Sequence, residues 1–86
     1  MKEIEIAGRT VTVVSTVDAV GMFCPIPIVK MKLEIEKLQS GQVLEVLADD
    51  PGFESDVASW CRETKNALLL LEKTPENIFT AYIEKT

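Results

Sequence analysis

Apolar and polar residues alternate at the start of the chain, where Glu3, Ile4, Glu5 and Ile6 read as a strand with one face turned inward. Ala7-Gly8-Arg9 can turn the chain, and residues 10–17 are rich in β-branched side chains, so an N-terminal hairpin is expected. From Ile28 the period changes: Ile28, Met31, Ile35 and Leu38 recur at spacings of 3, 4 and 3, a helical stripe. Pro27 suits the first turn of that helix and Ser40-Gly41 is expected to stop it. Val29 and Leu33 lie on its other side, which predicts a helix covered on two faces. Residues 43–48 form a short apolar strand. Asp50-Pro51 then reads as an N-cap and a first helical residue. Phe53, Val57, Trp60, Cys61 and Thr64 make a second stripe ending near Lys65-Asn66. Residues 67–71 are a buried strand by composition, 74–77 a turn, and 78–83 the last strand.

This order, β-α-β-α-β-β, predicts an α/β (α+β) fold: a two-layer sandwich with a mixed four-stranded sheet and two helices on one face. An extra N-terminal strand can precede it. Helical crossovers after the first long strands make those strands parallel, and the last strand returns antiparallel. The uncovered sheet face would carry Val43, Leu47, Ile78 and Tyr82. That is apolar for a solvent face, and it suggests a docked partner or a homodimer.

Composition narrows the chemistry. Eighty-six residues are expected to form one domain, and 47% hydrophobic with 27% charged residues is ordinary for a globular chain. A net charge of −5 and a pI near 4.6 argue against direct nucleic-acid binding. With no histidine, Ser-His-Asp, Cys-His and His-metal sites built from this chain alone are excluded. Two cysteines cannot make a four-cysteine zinc site, and no metal or other cofactor is expected. The N-terminus lacks the apolar core of an export signal, and no run is long enough to span a membrane. The expectation is a cytoplasmic protein with two reduced thiols.

Cys24 is the most informative residue. It follows a strand and a Gly21 turn and directly precedes a helix, in the run Gly21-Met22-Phe23-Cys24-Pro25-Ile26-Pro27. The positive end of a helix dipole favours thiolate over thiol, and a free cysteine near pKa ~8.5 is only about 3% thiolate at neutral pH. The competing reading is a buried cysteine that packs under the first helical turn. A thioredoxin-like dithiol is excluded because Pro27 occupies the second position of a CxxC pair. Cys61, expected about ten residues into the second helix, would lie roughly 15 Å down its axis. A disulfide needs Cα atoms within about 7 Å. One working thiol remains.

Asp18-Ala19-Val20-Gly21-Met22-Phe23-Cys24-Pro25-Ile26-Pro27 resembles the signature of the TusA-like (SirA-like) sulfur-carrier family, a Cys-Pro-X-Pro run a few residues after an Asp and a Gly. Ser40-Gly41-Gln42-Val43-Leu44-Glu45-Val46 is similar to the family's turn and second strand. Ala48-Asp49-Asp50-Pro51 followed by Trp60-Cys61-Arg62 resembles its second helix. The resemblance implies a single TusA-like domain over residues 1–86, with 1–9 as an N-terminal extension. It also implies a cysteine, Cys24, that receives sulfur as a persulfide and passes it on, with Asp18, Gly21, Pro25 and Pro27 as motif support. A cysteine desulfurase or rhodanese would load such a carrier, and an acceptor protein of tRNA thiolation, cofactor synthesis or sulfur oxidation would unload it. Met22, Phe23 and Ile26 are apolar where such proteins often carry a charge, which predicts a hydrophobic docking rim. Two other readings stand beside this one: a non-catalytic interaction or regulatory module with a structural cysteine, and an acceptor of thiosulfate-derived sulfur working with a membrane transporter.

The remaining candidates read as structural. Cys61 and Trp60 fit a packed helical stripe, Asp50 a cap, and Asp49 a solvated carboxylate. Lys30 and Lys32 read as a solvated face able to steer an acidic partner. Asp18 is expected to hold its loop by accepting backbone amides.

Overall fold

The computed structural model describes residues 2–23 and 26–86. Its elements are β1 (Lys2–Ile6), β2 (Arg9–Ala19), α1 (Ile26–Ile35), β3 (Val43–Ala48), α2 (Phe53–Thr64), β4 (Ala67–Lys73) and β5 (Phe79–Glu84). The sheet has five strands in the order β1-β2-β3-β5-β4. β2 and β3 run parallel, joined through α1, and the other pairs are antiparallel. The fold is the expected mixed α+β type, with five strands rather than four, because the N-terminal segment forms a full strand. Ala7 and Gly8 explain this: φ of +53° and +78° makes the two-residue turn whose twist matches a hairpin.

Both helices lie on one face. Met31 and Ile35 of α1 share a core with Phe53, Val57 and Cys61 of α2 over Val17, Leu44 and Val46 of the sheet. Val29 and Leu33 are 50% and 55% exposed, so α1 is covered on one face, not two as expected. α1 also ends earlier than Ser40-Gly41. After Ile35 the Lys37 and Leu38 amides donate to Glu34 and Ile35 carbonyls, both at 3.1 Å, the tighter i→i−3 pattern of a closing turn. The start of α2 differs too. Asp50-Pro51-Gly52 is a turn in which Asp50 Oδ2 accepts the Gly52 amide at 3.1 Å and the Asp50 carbonyl accepts that of Phe53 at 3.0 Å. The aspartate thus closes a turn before the helix rather than capping it.

The opposite face is not bare. A register shift between Val13 and Ser15 reverses the alternation of β2, so Val11 and Val13 turn away from the helices while Val17 faces them. Ile6, Val11, Val13 and Val43 form a second small core, with Ile4, Leu70 and Tyr82 packed against it. Val43, expected on an open face, is fully buried under the hairpin. Leu47 and Tyr82 are half-buried there, and Ile78 lies just before β5.

Glu45 sits in the middle of this face at 6% exposure. Tyr82 donates to Oε2 at 2.7 Å, Thr16 to Oε1 at 3.0 Å, and the Lys2 ammonium lies 3.0 Å from Oε1. Burial opposes the charge, but the two hydroxyl donors and the lysine together hold the carboxyl below its ordinary 4.5. Burial, helped by the same carboxylate, pushes the Tyr82 phenol up to about 12. A depressed folded-state pKa stabilises the fold above the unfolded value, and the benefit disappears as pH falls through the folded value. Glu45→Gln should therefore be less stable than the parent above pH 4.5, with the gap closing on acidification. Urea midpoints of both proteins measured across pH 3–7 check this; a gap constant with pH would remove the charge from the account.

Candidate functional site

The parallel strands β2 and β3 end side by side, with Ala19 in register with Ala48. In a crossover sheet the carboxyl ends of parallel strands open into the loops that carry chemistry. Here they lead into residues 20–25 on one side and Asp49-Asp50 on the other.

The first half of the loop is tightly specified. The Met22 amide donates to the Ala19 carbonyl at 3.1 Å, closing a turn in which Gly21 adopts φ +87°. A side chain at Gly21 would meet no atom within 4 Å, so the glycine answers to backbone conformation rather than to space. Asp18 Oδ1 accepts the Val20 amide at 3.1 Å, and Asp49 Oδ1 accepts the Gly21 amide at 2.9 Å. Each carboxylate holds one amide of the turn. Asp49 was expected to be merely solvated; instead it ties the end of β3 to the loop that follows β2. An acidic residue directly after a strand parallel to the loop's own strand was the available signal.

Beyond the turn the other site candidates separate. Met22 is half-buried and packs against the main core, so it is not part of an outward rim. Phe23 is 73% exposed and Ile26, the first residue of α1, is 51% exposed. The Phe23 carbonyl accepts the Ile26 amide at 3.0 Å. Pro27 is buried within the first turn of α1. Cys24 and Pro25 lie outside the described residues. Val20, Val29 and Leu33 continue the exposed apolar surface, and from position 19 to 33 the chain has Lys30 and Lys32 but no acid.

The second thiol is poorly suited to chemistry. Cys61 is 3% exposed in the core between α2 and the sheet, and burial pushes its thiol up to about 11. Among the described residues no group of three or more cysteine, aspartate or glutamate side chains is arranged to hold a metal ion. None of the helices there is long and apolar enough to cross a membrane.

A model of the family described as Sulfurtransferase TusA matches residues 15–85, which takes in the end of β2, the loop, both helices and the last three strands. The chain belongs to the TusA family. Halobacterium salinarum has a relative 36% identical over 74 residues, covering 86% of this chain and 91% of the relative. Aquifex aeolicus has one 43% identical over 70 residues, covering 81% of this chain but 35% of the relative, so the chain spans about a third of that protein's length. Both carry the name "Putative sulfur carrier protein". The Sulfur carrier protein TusA of Allochromatium vinosum is 42% identical over 52 residues, covering 60% of this chain and 68% of the relative. β1 and the first part of β2 precede the span that the TusA model matches.

Proposed function

We propose that the chain is a cytoplasmic sulfur carrier, a single domain in which Cys24 alternates between thiol and persulfide. The observation that carries this reading is the family match over residues 15–85, a span that contains the Cys-Pro-Ile-Pro run whose last two residues open α1. In loading, the Cys24 thiolate attacks the outer sulfur of a donor persulfide. The donor S–S bond breaks, a new S–S bond forms on Cys24, and the donor leaves as a thiolate. Unloading is the same exchange with an acceptor thiolate as the nucleophile. The donor is a cysteine desulfurase or a rhodanese-type protein, and the acceptor a protein of tRNA thiolation, cofactor synthesis or sulfur oxidation.

The surroundings support that role. α1 begins at Ile26, two positions beyond the cysteine, so the positive end of its dipole favours the anion. Pro25 and Pro27 carry no N–H and the Ile26 amide is taken by the Phe23 carbonyl, which leaves the dipole rather than free amides as the support. Asp18 and Asp49 hold the approach to the cysteine through backbone amides, and Pro27 anchors the other side in the core. The only other thiol is buried and held protonated.

Incubation with a small-molecule persulfide donor should add one sulfur, roughly 32 Da, removable by a reductant. Cys24→Ser should abolish the adduct and Cys61→Ser should retain it. An adduct confined to Cys61 would overturn the assignment.

A further inference from the structure

We propose that the outer edge of β2 over residues 14–19 is a docking lane for an extended segment of the protein with which this chain exchanges sulfur, added antiparallel to β2 in line with β1. Who the partner is rests on the sulfur-carrier reading; the lane rests on the sheet.

β1 pairs with β2 only from Arg9 to Val13, while β2 runs on to Ala19. Over the rest of β2 the inner edge is occupied by β3, in unbroken register from Ser15 to Ala19. Alternate residues there turn their N–H and C=O groups outward, and among the described residues no strand meets them. β1 already shows that this side of β2 accepts an antiparallel strand. A groove of about 540 Å³ runs along the open stretch between the edge and α1. Ser15, Thr16, Val17 and Asp18 form one wall and Lys30 and Leu33 the other.

Natural sheets blunt exposed edges with lysine, proline or bulges. The outer edge of β4 carries such protection: a register break between Leu68 and Leu70, then Glu72 and Lys73. Residues 15–19, Ser-Thr-Val-Asp-Ala, hold no lysine or proline and only one charge, Asp18, and the irregularity of β2 falls at Val14, at the mouth of the lane.

Charge selects the occupant. Glu34 and Lys37 belong to the same wall but pair with each other at 3.1 Å, and Ser15 donates to Glu34 at 3.2 Å, whereas Lys30 has no ion pair among the described residues. Leu33 stands 55% exposed beside it. An incoming strand that presents an acidic and an apolar side chain toward α1 complements this wall. A second copy of the chain fits less well. Two-fold pairing of residues 14–19 would drive Val20 of one copy against Lys2 of the other, between molecules that each carry −5. The lane ends at Ala19, at the turn that leads to Phe23, so a docked segment ends beside the described part of the loop whose sequence continues to Cys24.

The probe is the peptide acetyl-Thr-Leu-Thr-Glu-Thr-Val-Thr-amide, titrated into the ¹⁵N-labelled full chain. Saturable amide shifts and slowed hydrogen exchange at residues 14–19 are expected, with millimolar affinity. Lys30→Glu should weaken binding severalfold, and a peptide with lysine in place of glutamate should restore binding to that variant. No saturable shift at 14–19, shifts confined to Ala67–Lys73, or concentration-dependent shifts at 14–19 without peptide (a second copy in the lane) would each overturn the proposal. Sulfur loading of Cys24 from a small donor does not use the lane. Its failure with peptide binding intact condemns the carrier reading, and the reverse condemns the lane.

Discussion

Phe53→Ala is expected to lower the unfolding free energy by about 3–5 kcal/mol, the usual cost of emptying a fully packed phenylalanine site. Phe53 is 0% exposed and opens α2. Its ring centroid lies 6.3 Å from that of Phe79, tilted by 43°, which joins the helix start to β5. Its amide also closes the Asp50 turn at 3.0 Å, immediately after the Asp49 that holds Gly21. A small domain has only about 5–15 kcal/mol in hand, so the variant should be partly or wholly unfolded near 37 °C. Urea unfolding followed by Trp60 fluorescence gives the value. Phe53→Leu, which retains most of the volume, should cost clearly less; equal costs would mean that the site collapses around either replacement.

The position of Phe53 illustrates what could be read from the chain alone. Its place on a helical stripe was visible because periodicity reports which face is buried. The element order was visible for the same reason, since each run changes period at a Gly, Pro or Asp. Three features were not. The Ala7-Gly8 turn requires a left-handed alanine, a conformation that no composition rule assigns, so β1 was only an optional strand and β2 was expected to end before Ala19. The reversal at Val13 put Val43 under the hairpin instead of on an open face, because one extra residue in a strand shifts every later side chain to the other side. Asp49 looked solvated because its partner, the Gly21 amide, is 28 positions away. The proposed sulfur-carrying residue is the opposite case. Cys24 stands out in the sequence by its motif, while the structure contributes the acids, the glycine and the helix around its loop.

Phe23→Ser is expected to slow sulfur exchange with a protein partner by about tenfold to a hundredfold while leaving the fold intact. Phe23 is 73% exposed next to the proposed sulfur-carrying position, and Ile26 at 51% continues the apolar surface. Burying one such ring in an encounter is worth ~1.5–3 kcal/mol, and each 1.4 kcal/mol is tenfold. The nearby charges, Lys30 and Lys32, are exposed and screened by salt, with a Debye length of ~8 Å under physiological conditions and ~3 Å at 1 M. Raising the salt should therefore change the exchange rate less than removing the ring does. The measurement is single-turnover transfer between the persulfidated chain and a partner protein, with the urea midpoint of Phe23→Ser as control. A large loss of stability would reassign Phe23 to the core. If salt abolishes transfer and Phe23→Ser leaves it unchanged, docking at this loop is electrostatic and the apolar rim has no part in it.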